Sequence, residues 1–242
     1  MVALATRARS RSALGAVFTT CLVSEVLEEL YDYAALRSLD EITMFVPVLR
    51  RQIVVLGSSQ SSDVFAPGRT AGLTLRRRRG GGGLVLLEPG DVWVDWWIPS
   101  SDERWSSDVH VSSIRCGQIW FDVLAPRVNA HLTVHEGSLE GDAEHRVVCF
   151  AGKGPGEVFV DGRKAVGVTQ WRVREGIFLS SVLRAHDSHD VLALLRVVPE
   201  GLSAALDHQV LSALGIGDVA SMLDDLASRS GAAAIVRPDP TS

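Results

Sequence analysis

Asp161-Gly162 stands between two runs of strand-forming residues, 157–160 and 163–171. A two-residue Asp-Gly connection predicts a type I′ turn, which needs positive φ at both positions and so fixes the pairing of the strands it joins. Upstream, residues 52–56, 73–76, 83–87, 92–98, 132–135 and 146–150 read as short strands, and 177–183 follows the turn at Arg174-Glu175-Gly176. Glu88-Pro89-Gly90-Asp91 separates 83–87 from 92–98 and predicts a second hairpin. Helical texture shows in a patch at 23–36 and in 106–124, with apolar residues at 116, 119, 120, 123 and 124. It returns at the end, where Val219, Met222, Leu223, Leu226 and Ala227 form a stripe behind an N-capping Asp218. Strands through the middle with helices interspersed and at the end predict an α+β fold, its mixed or antiparallel sheet covered on one face. Residues 1–45 read as a poorly defined N-terminal segment, 46–230 as one domain and 231–242 as a flexible tail.

Composition removes several classes of function. The 242 residues are 46% apolar and 22% charged, which suits a globular chain with a substantial core. A formal net charge of −5 supplies no general attraction for nucleic acid or an anionic membrane. No run of 18 apolar residues occurs, so no spanning helix is expected. Arg7, Arg9 and Arg11 precede an apolar stretch at 13–23, but the acidic segment 25–33 follows without a clear cleavage site, so export is not expected. Cys21, Cys116 and Cys149 are widely separated, which fits a reducing cytoplasm and excludes a four-thiolate zinc site. His131 with His135, or His186 with His189, lacks the further ligands a metal site needs, so no metal residue is assigned. Of the 24 basic residues, 22 are Arg; the two lysines, Lys153 and Lys164, lie 11 positions apart.

Two segments could carry chemistry. Arg76-Arg77-Arg78-Arg79-Gly80-Gly81-Gly82-Gly83 joins four guanidiniums to four glycines, whose amides can turn toward an anion. The same run is compatible with a solvated loop. Lys164 follows the predicted turn, where a rigid hairpin could hold an ammonium at a fixed point, although a lysine beside a turn is also an ordinary surface residue. Cys149 sits in an apolar run and is either inert filler or a nucleophile.

Three segments together resemble the lipoate–protein ligase and octanoyltransferase family, whose catalytic domain is shared with biotin–protein ligases. Val54-Val55-Leu56-Gly57-Ser58-Ser59-Gln60 is similar to the family's strand-Gly-x-x-Gln segment. Arg77-Arg78-Arg79-Gly80-Gly81-Gly82-Gly83 is similar to its Arg-Arg-x-Ser/Thr-Gly-Gly-Gly loop, with Gly80 in place of the hydroxyl residue. Asp161 to Gln170 is similar to its hairpin, Gly-Arg/Lys-Lys-hydrophobic-x-Gly-x-x-Gln. The order and spacing of all three agree over residues 50–195.

The resemblance implies an α+β catalytic domain with a central mixed sheet. It also implies an enzyme that activates lipoate or octanoate with ATP and Mg2+ to an acyl-adenylate and passes the acyl group to a carrier-domain lysine. Lys164 would stabilise charge at both steps. Arg77, Arg78, Gly81, Gly82 and Gly83 would hold the acyl-adenylate, and Gln60, Gly167 and Gln170 would line the acyl site. The implied partners are lipoyl domains of 2-oxoacid dehydrogenases or the glycine cleavage H protein. A second branch of the family takes octanoate from acyl carrier protein on a cysteine thiolate. Cys149-Phe150, 15 positions before Lys164, matches the spacing of that branch's Cys-Phe pair. A non-catalytic acyl-binding relative is the third expectation, because the family's His-Asp after the glycine-rich loop is replaced by Leu87-Glu88.

Overall fold

The computed structural model describes residues 31–141, 145–206 and 218–237. The N-terminal arginines, the 13–23 stretch, Cys21 and most of the 23–36 helical patch lie outside the described residues. The patch contributes one described turn, α1 (Tyr33–Leu36), capped by Asp32, whose Oδ1 accepts the Ala34 amide at 2.9 Å. Ten strands follow: β1 (Thr43–Phe45), β2 (Ile53–Leu56), β3 (Thr74–Arg77), β4 (Val85–Leu87), β5 (Val92–Pro99), β6 (Leu132–Val134), β7 (Val158–Val160), β8 (Arg163–Val173), β9 (Gly176–Leu183) and β10 (Ala234–Val236). The longer helices are α2 (Val109–Leu124) and α4 (Val219–Ser230), with a single turn, α3 (Leu202–Ala205), between them. Seven strands form one sheet in the order β10-β1-β5-β9-β8-β7-β6, and β3-β2-β4 form a smaller one. Antiparallel pairing dominates, with β1/β10 and β2/β3 parallel, so the α+β architecture with a mixed sheet is what the chain adopts.

The Asp-Gly hairpin forms as its sequence requires, with φ of 50° at Asp161 and 80° at Gly162. Asp218 caps α4 by accepting the Ser221 amide at 3.1 Å. The predicted hairpin across Glu88–Asp91 does not form. β4 pairs with β2 in the small sheet and β5 with β1 and β9 in the large one, so the turn carries the chain between sheets. A distant partner holds it there: the buried Asp91 carboxylate pairs with Arg184 at 3.0 Å and accepts the Ala185 amide at 2.7 Å.

Three more expectations are corrected. Residues 146–150 form no strand; the chain passes through 3-10 turns at His145–Val147 and Cys149–Ala151, with a lone bridge from Val148 to Leu84. The large sheet is covered on both faces, which is why Trp93, Trp96 and Trp97 of one strand are all buried. Trp96 packs with Trp120 of α2 and Leu226 of α4 on one side, while Trp93 packs with Leu56 and Leu87 of the small sheet on the other. In the supposed tail, Gly231 adopts a left-handed conformation (φ 76°), ends α4, and turns residues 234–236 back as an edge strand. Residues 238–242 lie outside the described residues.

Candidate active site

The hairpin β7–β8, the glycine-rich loop after β3 and the turn at Cys149–Ala151 converge on Lys164. Its side chain is only 2% exposed. Nζ stands 2.7 Å from Glu157 Oε2 and donates to the Cys149 carbonyl at 2.8 Å. It also lies 5.5 Å from the centre of the Phe150 ring. Glu157 in turn accepts the Gly154 amide at 2.6 Å, so the segment from Cys149 to Glu157 closes around the ammonium. Burial pushes the Glu157 carboxyl up from its ordinary range, and the charge and hydrogen bond of Lys164 pull it back.

The arginines of the glycine-rich loop are used differently. Arg77 donates to the carbonyls of Gly57 (3.0 Å), Ser58 (3.3 Å) and Gln60 (2.6 Å). Arg78 donates to Gly83 (2.7 Å) and Gly81 (2.9 Å), with a longer contact to Val55 (3.4 Å). Burial draws the Arg78 guanidinium down from its usual range, opposed by Cys149 and Tyr33. The guanidiniums therefore shape the loop, and the glycines form its surface. A Cβ at Gly83 would meet the Arg146 carbonyl oxygen at 2.5 Å and the Cys149 nitrogen at 2.7 Å, whereas one at Gly81 would meet nothing within 4 Å. At Gly80 the Thr169 hydroxyl would lie 2.7 Å away, so the room for a side chain is already taken.

Two cavities meet at Cys149. A polar cleft of about 360 Å3 is lined by Gln60, Gly81–Gly83, Arg146, Lys153, Glu157 and Lys164. A narrow apolar slot of about 30 Å3 runs between the sheets past Val55, Leu87, Trp93, Phe150, Gly167 and Val182, with Arg78 on its wall. Cys149, Val168 and Thr169 line both. Gly167 keeps the junction open, since a Cβ there would meet the Phe150 ring at 3.3 Å and Cys149 Sγ at 3.8 Å. The slot's Trp93 is fixed from behind by Asp95, whose Oδ1 accepts the indole N–H at 2.7 Å while Tyr31 donates to Oδ2 at 2.5 Å. Burial pushes the Asp95 carboxyl to about 7 against the hydrogen bonds from Ser180, Tyr31 and Trp93.

The sequence-derived residues thus divide. Lys164, Cys149, Gln60 and Gly81–Gly83 meet on the cleft, and Arg78 and Gly167 on the slot. The Gln60 side chain is bound to the Gly57 amide (3.1 Å) and the Val147 carbonyl (2.9 Å). Arg77 and Gln170 line neither cavity; Gln170 ties β8 to α2 through the Val109 carbonyl (2.7 Å) and the Ser113 hydroxyl (2.6 Å). Lys153 is exposed on the cleft rim, 3.7 Å from Glu140. Sequence reasoning passed over Glu157 and Asp95. Among the described residues no group of three His, Cys, Asp or Glu side chains is arranged to hold a metal ion, and no helix is long and apolar enough to cross a membrane.

No protein-family model matches this sequence, and no curated protein matches it either. Solved structures do. Lipoate-protein ligase A bound with ATP superposes with a TM-score of 0.63 at 16% identity, over 86% of this chain and 80% of the other. The bipartite lipoate protein ligase of Thermoplasma acidophilum, studied with its E2 lipoyl domain, gives 0.60 at 15% identity, over 86% and 78%. LipL1 of P. falciparum in complex with lipoate gives 0.54 at 13% identity, over 80% of this chain and 47% of that one. At these identities the likeness is one of fold, and it agrees with the motif resemblance: the chain has the fold of the lipoate–protein ligase catalytic domain.

Proposed function

We propose that this chain is a lipoate–protein ligase-like enzyme that attaches lipoate or octanoate to a lysine of a lipoyl carrier domain through an acyl-adenylate. The observation that carries the reading is the placement of Lys164, a buried ammonium on a cleft whose other wall is the glycine-rich loop. In the first step a carboxylate oxygen of the acid bonds to the α-phosphorus of ATP and pyrophosphate leaves. In the second the carrier amine bonds to the acyl carbon, loses a proton, and AMP leaves. Both transition states gather negative charge on oxygens, which an ammonium and backbone amides fixed in advance stabilise. Lys164 and the Gly81–Gly83 backbone would supply these, with Arg146 and Lys153, which also line the cleft, for the phosphates. Mg2+ arriving on ATP needs only one or two protein carboxylates, and Glu140 lines this cleft. The apolar slot supports an acyl chain. Its mouth lies at Cys149, beside the cleft where the acid's carboxylate would react.

A second reading rests on Cys149, which lines both cavities beside Arg78. In it the thiolate takes octanoate from acyl carrier protein as a thioester and hands it to the carrier lysine. Incubation with apo lipoyl domain separates the two. Modification with lipoate and Mg-ATP, retained in Cys149→Ala, supports the ligase. Modification by octanoyl-acyl carrier protein alone, lost in Cys149→Ala, supports the transferase. No modification from either donor sinks both and leaves an acyl-binding protein. The reading places the protein in the cytoplasm, with ATP, the acid and lipoyl domains of 2-oxoacid dehydrogenases or the glycine cleavage H protein as its partners.

A further inference from the structure

The geometry points to Glu157 as a positioning residue that holds the Lys164 ammonium charged and aimed at the cleft. The inference rests on the reading of Lys164 as the group that meets the reacting oxygens. An ammonium taken out of water loses its proton readily unless a negative group replaces the lost solvation, and a neutral amine cannot stabilise an oxyanion. Lys164 is buried by its own hairpin, and Glu157 Oε2 lies 2.7 Å from Nζ. Cys149 offers its carbonyl, and Arg184, 5.5 Å from the same Phe150 ring, adds positive charge. Glu140, also on the cleft, pairs with Lys153. The Glu157 carboxylate is itself anchored by the Gly154 amide at 2.6 Å, so it holds Lys164 from a fixed backbone point.

Glu157 alternates onto the same face of the hairpin as Phe159, and Phe159 pairs with Lys164, so the carboxylate and the ammonium lie on one side of the ladder, next to its register shift between Val158 and Phe159.

The test uses the intact chain with Glu157→Gln and Glu157→Asp. Glutamine keeps an acceptor of the same length but removes the charge; aspartate keeps the charge one methylene short. Because the chain has two lysines, a lysine-labelled sample gives two side-chain ammonium signals in NMR, and the exposed Lys153 serves as the internal reference. In Glu157→Gln the Lys164 ammonium signal should shift from its wild-type position while that of Lys153 stays in place. The alkaline limb of acyl transfer should move with it, and kcat should fall roughly 10- to 100-fold with KM changed less than about threefold. Glu157→Asp should recover part of both. An unmoved Lys164 signal with unchanged kcat and pH profile in Glu157→Gln overturns the proposal, as does an aspartate variant no better than glutamine. If the wild type transfers no acyl group while the Lys164 signal still moves, the proposed function falls and the hold of Glu157 on Lys164 stands.

Discussion

The glycine-rich loop and the hairpin beside it both carry cations and both border one cleft, and they use their cations in opposite ways. In the loop, Arg77 and Arg78 turn inward and bind backbone carbonyls, which leaves glycine backbone as the surface facing the cleft. In the hairpin, the carbonyls are satisfied by strand pairing, and Lys164 is held by a carboxylate and one carbonyl. The planar guanidinium, with five donors, is suited to cross-linking a loop. The ammonium is a compact charge suited to one reacting oxygen. On the proposed function, the buried lysine would supply a compact charge that an arginine in its place would not reproduce.

The sharpest way to break this contrast is to add a methyl group to the loop. Gly83→Ala would drive a Cβ into three backbone atoms at 2.5–2.7 Å, so the loop must shift. Acyl transfer should fall by roughly two orders of magnitude and stability by about 2 kcal/mol, read by kinetics and thermal unfolding. Gly81→Ala, with open space around its Cβ, should leave stability within about 0.5 kcal/mol of wild type. Equal losses in both variants would show that the loop does not act through its packing.

A smaller effect is expected from the arginines. Arg77→Lys keeps the charge but cannot hold three carbonyls at once, and should cost on the order of 1–2 kcal/mol with kcat near wild type. A kcat lowered as far as in a Lys164 variant, with stability unchanged, would make Arg77 a direct ligand instead.

The last concerns a buried acid and acts on stability alone. Asp95 is bound by Tyr31, Trp93 and Ser180, and its folded-state value near 7 lies above the ordinary carboxylate value near 4. The folded chain thus keeps a proton that the unfolded chain releases. The associated stability is present below about pH 4 and is lost as pH rises toward 7, at no more than about 1.4 kcal/mol per unit. Asp95→Asn should remove that slope in thermal unfolding between pH 4 and 7. A slope unchanged by the substitution would assign it to other groups.

Much of the fold was legible where local chemistry decides it. The Asp161-Gly162 turn, the Asp218 cap and the α2 spacing each specify their own element. Legibility ended where a distant residue decides. Glu88–Asp91 has good turn chemistry, yet Arg184, 93 positions from Asp91, holds it between two sheets. The Arg-Gly run announced a site but not the direction of its guanidiniums. Gly80, lacking the family's hydroxyl, makes sense only with Thr169 beside it, 89 positions on. Glu157 reaches Lys164 through the pairing across the hairpin of Phe159 with Lys164, and no motif residue announces that contact.

The central claim is that a buried, charged Lys164 makes this cleft an acyl-transfer site. Its most direct test is the intact mass of an apo lipoyl domain after incubation with lipoate, Mg-ATP and either wild-type protein or Lys164→Ala. The account predicts a lipoyl mass increment on one carrier lysine with wild type, and a rate reduced roughly 100- to 1,000-fold with the variant. Equal modification by both proteins would contradict it.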